Sequence, residues 1–259
     1  MPKPPVSSAP AAPAKKFSIK AGLSKAGFKL GIYGPEGIGK STLASLCPGA
    51  HFADIEMSMK HIQVPKVEGI EGWSDLRAYI QSLQAGICGL DSITKAEDWA
   101  AQHVIKTKRS NDNQKATDSL EDFKYKAGLT FVNDEFKKLL ADIDAATLRG
   151  VSFIMIAHNR VKKFNDPDGS NFVRYEPMLV DTDAVSNMRT WVQFLDHCAF
   201  IDLDRNAEKG KVKSAGTRSI YLDTSASHIS KCRGIDASVI DFDLSKDPLE
   251  LWRRLGTVK

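Results

Sequence analysis

The sequence is poor in cysteine, and the few it has lack the spacing that would give them chemistry. Cys47, Cys88, Cys198 and Cys232 are scattered. No Cys-x-x-Cys pair occurs, so neither a zinc site nor a disulfide framework is indicated. Long apolar runs are missing too. The longest, VSFIMIA, falls far below the ~20 residues that a bilayer-spanning helix needs. No signal-peptide pattern opens the chain. Neither sign of charge dominates: the formal net charge is +4 over 259 residues, which permits a basic patch without implying a nucleic-acid partner. Internal repeats are absent. These absences give the expectation of a soluble protein of a reducing cytoplasm with no membrane partner. The length suits one large α/β domain with tails, or at most two small domains.

The chain does hold alternating apolar and helical segments. Residues 1–16, MPKPPVSSAPAAPAKK, are rich in Pro and Ala and lack apolar periodicity, so a disordered arm is expected there. From Phe17 the pattern turns globular. The β-prone runs FKLGIY, AHFADI, GICGLD, VSFIMIA, CAFIDLD and SIYLDT recur, most of them separated by helical stretches such as WSDLRAYIQSLQ, KAEDWAAQHVIKTK and FVNDEFKKLLADIDAATL. Strands alternating with helices predict a mostly parallel, doubly wound sheet. The last two runs flank a charged, glycine-containing turn, RNAEKGKVKSAGT, and read as an antiparallel hairpin at the sheet's end. The expected domain spans 17–245, and DPLELWRRL within 246–259 reads as a short amphipathic helix in a C-terminal tail.

The most specific motif is GPEGIGKS at Gly34–Ser41, which fits G-x-x-x-x-G-K-[ST] and sits between an apolar strand and STLASL, the start of a helix. Its glycines let backbone N–H groups turn toward an anion. Gly34, Pro35, Glu36, Gly37, Ile38, Gly39, Lys40, Ser41 and Thr42 are therefore the candidate nucleotide-binding residues. Lys40 would reach the β- and γ-phosphates and Ser41 would ligate Mg²⁺, making ATP and Mg²⁺ the expected cofactors.

Ligands of such sheets sit at the carboxyl ends of the strands, so each strand end is informative. GICGLD ends in Asp91, which reads as the Walker B acid for Mg²⁺; the alternative is a helix N-cap or turn residue. Ser92 follows, so the acidic pair of many AAA-type and helicase ATPases is missing and water activation must come from another strand. HFADIEMSM, the strand after the phosphate loop's helix, supplies Glu56, a candidate to orient and polarise water; a surface Glu is the alternative. VSFIMIAHNR ends in His158, a candidate sensor of the γ-phosphate or a satisfied histidine at a strand end. The loop after it, NRVKKFNDPDGSNFVRYEP, interleaves Arg160, Lys162, Lys163 and Arg174 with Phe164, Phe172 and Tyr175. Cations among aromatics suit single-stranded nucleic acid; an ordinary solvated loop is the alternative. KTKRSNDNQK is a second basic loop.

The order of Walker A motif, strand-end Glu56, Asp91-Ser92, strand-end His158 and basic loop resembles the RecA-type ATPase core. More narrowly, IYGPEGIGKSTLAS, DIEMSMKHI, LEDFKYKAG, IAHNRVKKFNDPDG and RYEPML resemble short phage-encoded RecA-like ATPases of recombination and single-strand annealing. The resemblance covers most of 28–179. It implies an ATPase that binds single-stranded DNA through Arg160, Lys162, Lys163, Phe164 and Arg174, with Glu56, Lys40 and His158 catalytic. It implies a homo-oligomer, filament or ring, in a bacterial host's cytoplasm, with a single-stranded DNA-binding protein as a further partner. Sites of this type lie between subunits, so Lys209, Lys211, Lys213 and Arg218 become candidates to complete a neighbour's site. A helicase-like motor and an ATP-gated scaffold or loader are the rival readings. A small-molecule kinase is disfavoured because no Arg-rich lid stands out. The chain departs from the pattern at Met57 and Met59, where smaller residues are usual, in FKYKAGL, which is poorer in glycine than the pattern, and at Gly89, which should weaken the Walker B strand. FSIKAG near Phe17 is the nearest approach to a Phe-x-x-Ala polymerisation motif.

Overall fold

A computed structural model describes residues 26–108, 118–123, 127–165, 171–208 and 211–258. The arm, FSIKAG, most of the second basic loop and Lys209 lie outside them. Seven strands form the main sheet in the order β2-β3-β4-β1-β7-β8-β9. The five parallel members are β1 (Lys29–Tyr33), β2 (Ala50–Asp54), β3 (Gly86–Asp91), β4 (Val151–Ala157) and β7 (His197–Glu208). β8 (Lys211–Tyr221) and β9 (Val239–Phe242) continue the sheet antiparallel. A separate ribbon pairs β5 (Asn159–Asn165) with β6 (Asn171–Pro177).

The helices cover both faces, as a parallel sheet requires. α1 (Lys40–Ser45) and α6 (Glu250–Arg254) lie on one face; α2 (Trp73–Ser82), α3 (Ile93–Thr107), α4 (Ala127–Leu148) and α5 (Asn187–Phe194) lie on the other. The two-residue period of β4 divides its side chains between two cores. Val151, Phe153, Met155 and Ala157 enter the core under α2–α5, while Ile154 and Ile156 enter the one under α1 and α6. That double burial explains why VSFIMIA reads as a continuous apolar run. Gly89 has a packing reason. A Cβ there would stand 2.2 Å from the ring of Phe52 on β2, so the glycine admits the aromatic side chain between neighbouring strands. Among the described residues, no helix is long and apolar enough to cross a membrane.

Two segments that read as loops are strands. The segment after His158 is the β5–β6 hairpin, and the charged stretch RNAEKGKVKSAGT is largely strand in β7 and β8, with a register shift between Leu203 and Arg205. Backbone pairing does not exclude charged residues, so polarity alone misreads such a segment as a turn. α5 and β9 went unread: one is a single amphipathic stretch of eight residues, the other only four residues long. The C-terminal tail is part of the core. Leu251 and Trp252 are buried, and the Trp252 indole donates to the Leu43 carbonyl of α1 at 3.1 Å.

Candidate active site

The sheet order sets the site. β4 lies between β1, which carries the phosphate loop, and β3, which ends in Asp91. The tips of β1, β2, β3 and β4 therefore converge at one edge. The loop itself is shaped by glycine where glycine is needed. Gly37 and Gly39 have φ of +70° and +105°, values a side chain would strain. At Gly34 a Cβ would stand 2.1 Å from the Ile201 carbonyl oxygen of β7, so the loop leaves β1 in direct backbone contact with its neighbour. Ile38 turns its side chain into the core. Lys40 is buried, and its ammonium donates to the Gly34 and Pro35 carbonyls at 2.8 and 2.9 Å. Burial lowers its pKa, against the opposing pull of Asp91, Glu36 and Glu56.

Asp91 collects hydroxyls. Ser41 Oγ and Ser58 Oγ each donate to its Oδ2 at 2.7 Å. Burial raises the Asp91 pKa, the two serine hydrogen bonds oppose the shift, and the charges of Glu56 and Asp54 reinforce it. Ser92, not Asp91, is the N-cap of α3, its side chain accepting from Lys95 N. Sequence reading missed Ser58. It returns to the site through a tight turn in which Met57 takes φ +55° and Asp54 accepts from the Ser58 and Met59 amides at 2.9 and 3.1 Å. Nothing in local periodicity marks such a turn. Met59 fills the core, whereas Met57 is exposed.

The carboxylate of Glu56 is brought to the tip of β4. His158 Nε2 lies 3.0 Å from both Glu56 oxygens, and Ser92 Oγ donates to Oε1. The Glu56 backbone amide donates to the Asp91 carbonyl at 3.1 Å, tying the two acids' segments together. Burial pushes the Glu56 pKa up, but the hydrogen bonds from His158 and Ser92 and the charges of His158 and Lys95 outweigh it and leave the carboxyl below its usual range. The same contact raises His158 above the ordinary 6.5, against burial. Glu56, Asp91 and His158, read from three strand ends, and Lys40, read from the phosphate-loop motif, thus share one site.

The remaining sequence candidates distribute differently. On one face of the β5–β6 hairpin, Phe164 and Phe172 stack at 5.4 Å with the Arg174 guanidinium 4.0 Å over Phe164. Arg160 pairs with Glu176 and Asp181, Lys162 with Asp181, and Arg174 with Glu176. These three cations are therefore partly neutralised within the chain. Lys163 lies on the other face, exposed beside Val161 and Val173. Lys211 and Lys213 belong to the backbone of β8. Arg218 reaches its own chain's phosphate loop, donating to the Ile38 carbonyl at 3.1 Å.

The residues fit a nucleotide with Mg²⁺. A glycine-shaped phosphate loop carries a buried lysine, and two serine hydroxyls meet a carboxylate, the hard oxygen donors that Mg²⁺ takes. Ser41 and Asp91 are the residues that would hold the ion. Fold and site together define a P-loop NTPase core. A family model described as an AAA domain matches residues 26–234, and the chain belongs to that family of P-loop ATPases. No curated protein matches the chain.

Proposed function

We propose that the chain is a RecA-like ATPase that hydrolyses ATP and acts on single-stranded DNA in phage recombination or replication, as a homo-oligomer. One observation carries the reading: His158 joins the catalytic carboxylate to the basic hairpin. Its imidazole holds Glu56, while its backbone carbonyl accepts from Met178 N at 2.8 Å, just past β6. The hairpin root is fastened further by Arg160 to the Leu179 carbonyl and by the Val180 amide to Glu97 of α3. A change at the γ-phosphate that shifts His158 therefore reaches the root of the hairpin.

In this mechanism the phosphate loop and Lys40 would hold the triphosphate, and Ser41 and Asp91 would hold Mg²⁺, which would supply neutralisation of the phosphate charge. Glu56 accepts the proton of the attacking water. His158 Nε2 competes for the Glu56 lone pairs, so the base is free when His158 turns away. The aromatic pair Phe164 and Phe172 offers a stacking surface on one face of the hairpin and Lys163 a phosphate contact on the other.

The ion pairs of Arg160, Lys162 and Arg174 favour a second reading, an ATP-gated scaffold that leaves DNA alone. Phosphate release with and without single-stranded DNA separates the two, joined to anisotropy titrations of labelled DNA at several salt concentrations. Changing Lys163 and Phe164 together to Ala should weaken binding and flatten the salt slope by about one unit, because one phosphate contact is lost. Equal affinity, equal slope and no stimulation by DNA would favour the scaffold.

A further inference from the structure

β8 runs antiparallel to β7 and brings Arg218 back toward the start of α1. Three contacts define its position. Its Nη1 donates to the Ile38 carbonyl at 3.1 Å. Its guanidinium carbon lies 4.8 Å from the ring centroid of Phe242, its cross-strand partner on β9, and Phe242 is buried. A Cβ at Gly39 would stand 2.6 Å from the same Nη1, so the guanidinium fills the space that glycine leaves. Gly39 is also the residue at φ +105° that caps α1, and its carbonyl accepts from Leu43 N at 2.8 Å.

We propose that Arg218 is a positioning residue for the nucleotide site of its own chain, and that it fixes the phosphate loop from behind. The loop's function rests on backbone N–H groups turned toward phosphate. That orientation turns intervening carbonyls outward, and the Ile38 carbonyl is one that Arg218 holds. The planar guanidinium suits the task because it donates along its edge to the carbonyl while its face rests on Phe242. A lysine offers neither the edge nor the face. The inference builds on the ATPase reading but differs from a role at a neighbour's site: the side chain is already engaged with Ile38 and Phe242 of the same polypeptide.

The test measures binding of a fluorescent ATP analogue with Mg²⁺, then steady-state hydrolysis, for the full chain. Arg218→Ala should weaken nucleotide binding by about ten-fold, the scale of one lost hydrogen bond to a charged group, and raise KM more than it lowers kcat. Arg218→Lys should not restore affinity. Phe242→Leu, which keeps an apolar side chain but removes the ring beneath the guanidinium, should shift affinity in the same direction by less, so the inference does not hang on one variant's folding. Mixing supplies the decisive arm. Arg218→Ala retains Lys40, and Lys40→Ala retains Arg218. If Arg218 acts within its chain, the mixture shows no more activity than the sum of its parts. Recovery of activity on mixing would overturn the proposal in favour of a residue donated to a neighbour. Parental affinity in Arg218→Ala, or full rescue by Lys, would overturn it as well. Lys40→Ala alone guards the underlying reading: parental binding by that variant would sink the nucleotide site itself, whatever Arg218 does.

Discussion

At the scale of single residues, the Glu56–His158 contact sets how both groups titrate. Their pKa shifts oppose each other because each group stabilises the charged form of the other. His158 is raised above 6.5, so its contribution to stability is full below that value and is lost as pH rises through the folded pKa. Glu56 is depressed below 4.5, so its contribution is present above that value and disappears as pH falls through the folded pKa. Two outcomes are expected. Histidine NMR should find His158 titrating above 6.5, and Glu56→Gln should return it downward. The same variant should keep ATP affinity while slowing turnover by about 10²-fold or more, the scale of a lost general base. A His158 pKa unmoved by Glu56→Gln would deny the pairing, and unchanged turnover would move water activation elsewhere.

Among the secondary-structure elements, α3 does more than carry the residues after Asp91. Its first turn meets the tip of β4, where the Thr94 hydroxyl accepts from the His158 amide at 3.1 Å. Further along, buried Glu97 accepts from the Val180 amide and from Asn187 of α5, and Asn187 in turn accepts from Asn133 of α4. Burial pushes the Glu97 carboxyl up to about 7, against its hydrogen bonds and the charge of Arg160. The folded protein therefore holds a proton between 4.5 and about 7 that the unfolded chain has released. The Glu97 contribution to stability should fall as pH rises through that window and stay constant above it. Urea unfolding at several pH values should find this loss at roughly 1–3 kcal/mol in the parent. In Glu97→Gln, which has no proton to release, this fall should disappear and the slope over the window should turn more positive than the parent's, because His51, His197 and His228, whose pKa values burial lowers, gain stability as pH rises toward 6.5. An unchanged slope would assign the effect to another group.

For the whole molecule, the C-terminal segment is structural. Trp252 is fully buried against α1, the helix that the phosphate loop opens. Trp252→Ala should cost roughly 3–5 kcal/mol of stability, the range for removing a buried large aromatic, measured by chemical unfolding. Removing 246–259 should destabilise the fold by at least as much. A truncated chain as stable as the parent would make the segment a dispensable tail.

The sequence by itself determined what depends on local pattern: the phosphate loop, whose glycines and Lys-Ser stand together in the chain, the alternation of strand and helix, and the double burial written into VSFIMIA. It also singled out Glu56, Asp91 and His158, because strand ends are readable once strands are. Only the tertiary structure decided what depends on strand order and on turns with no periodic signal. It inserted β4 between β1 and β3 and so brought His158 onto Glu56. It curled Ser58 back to Asp91 through a left-handed Met57. It turned a basic loop into a ribbon in which Arg160, Lys162 and Arg174 pair with Glu176 and Asp181, although the turn chemistry of NDPDG between RVKKF and NFVRY was a hairpin signal in the sequence. It set Phe52 into the space at Gly89 and Arg218 behind Gly39. Each of these contacts joins residues from separate segments of the chain, and such pairings follow from the order and register of the strands rather than from the composition of any one of them.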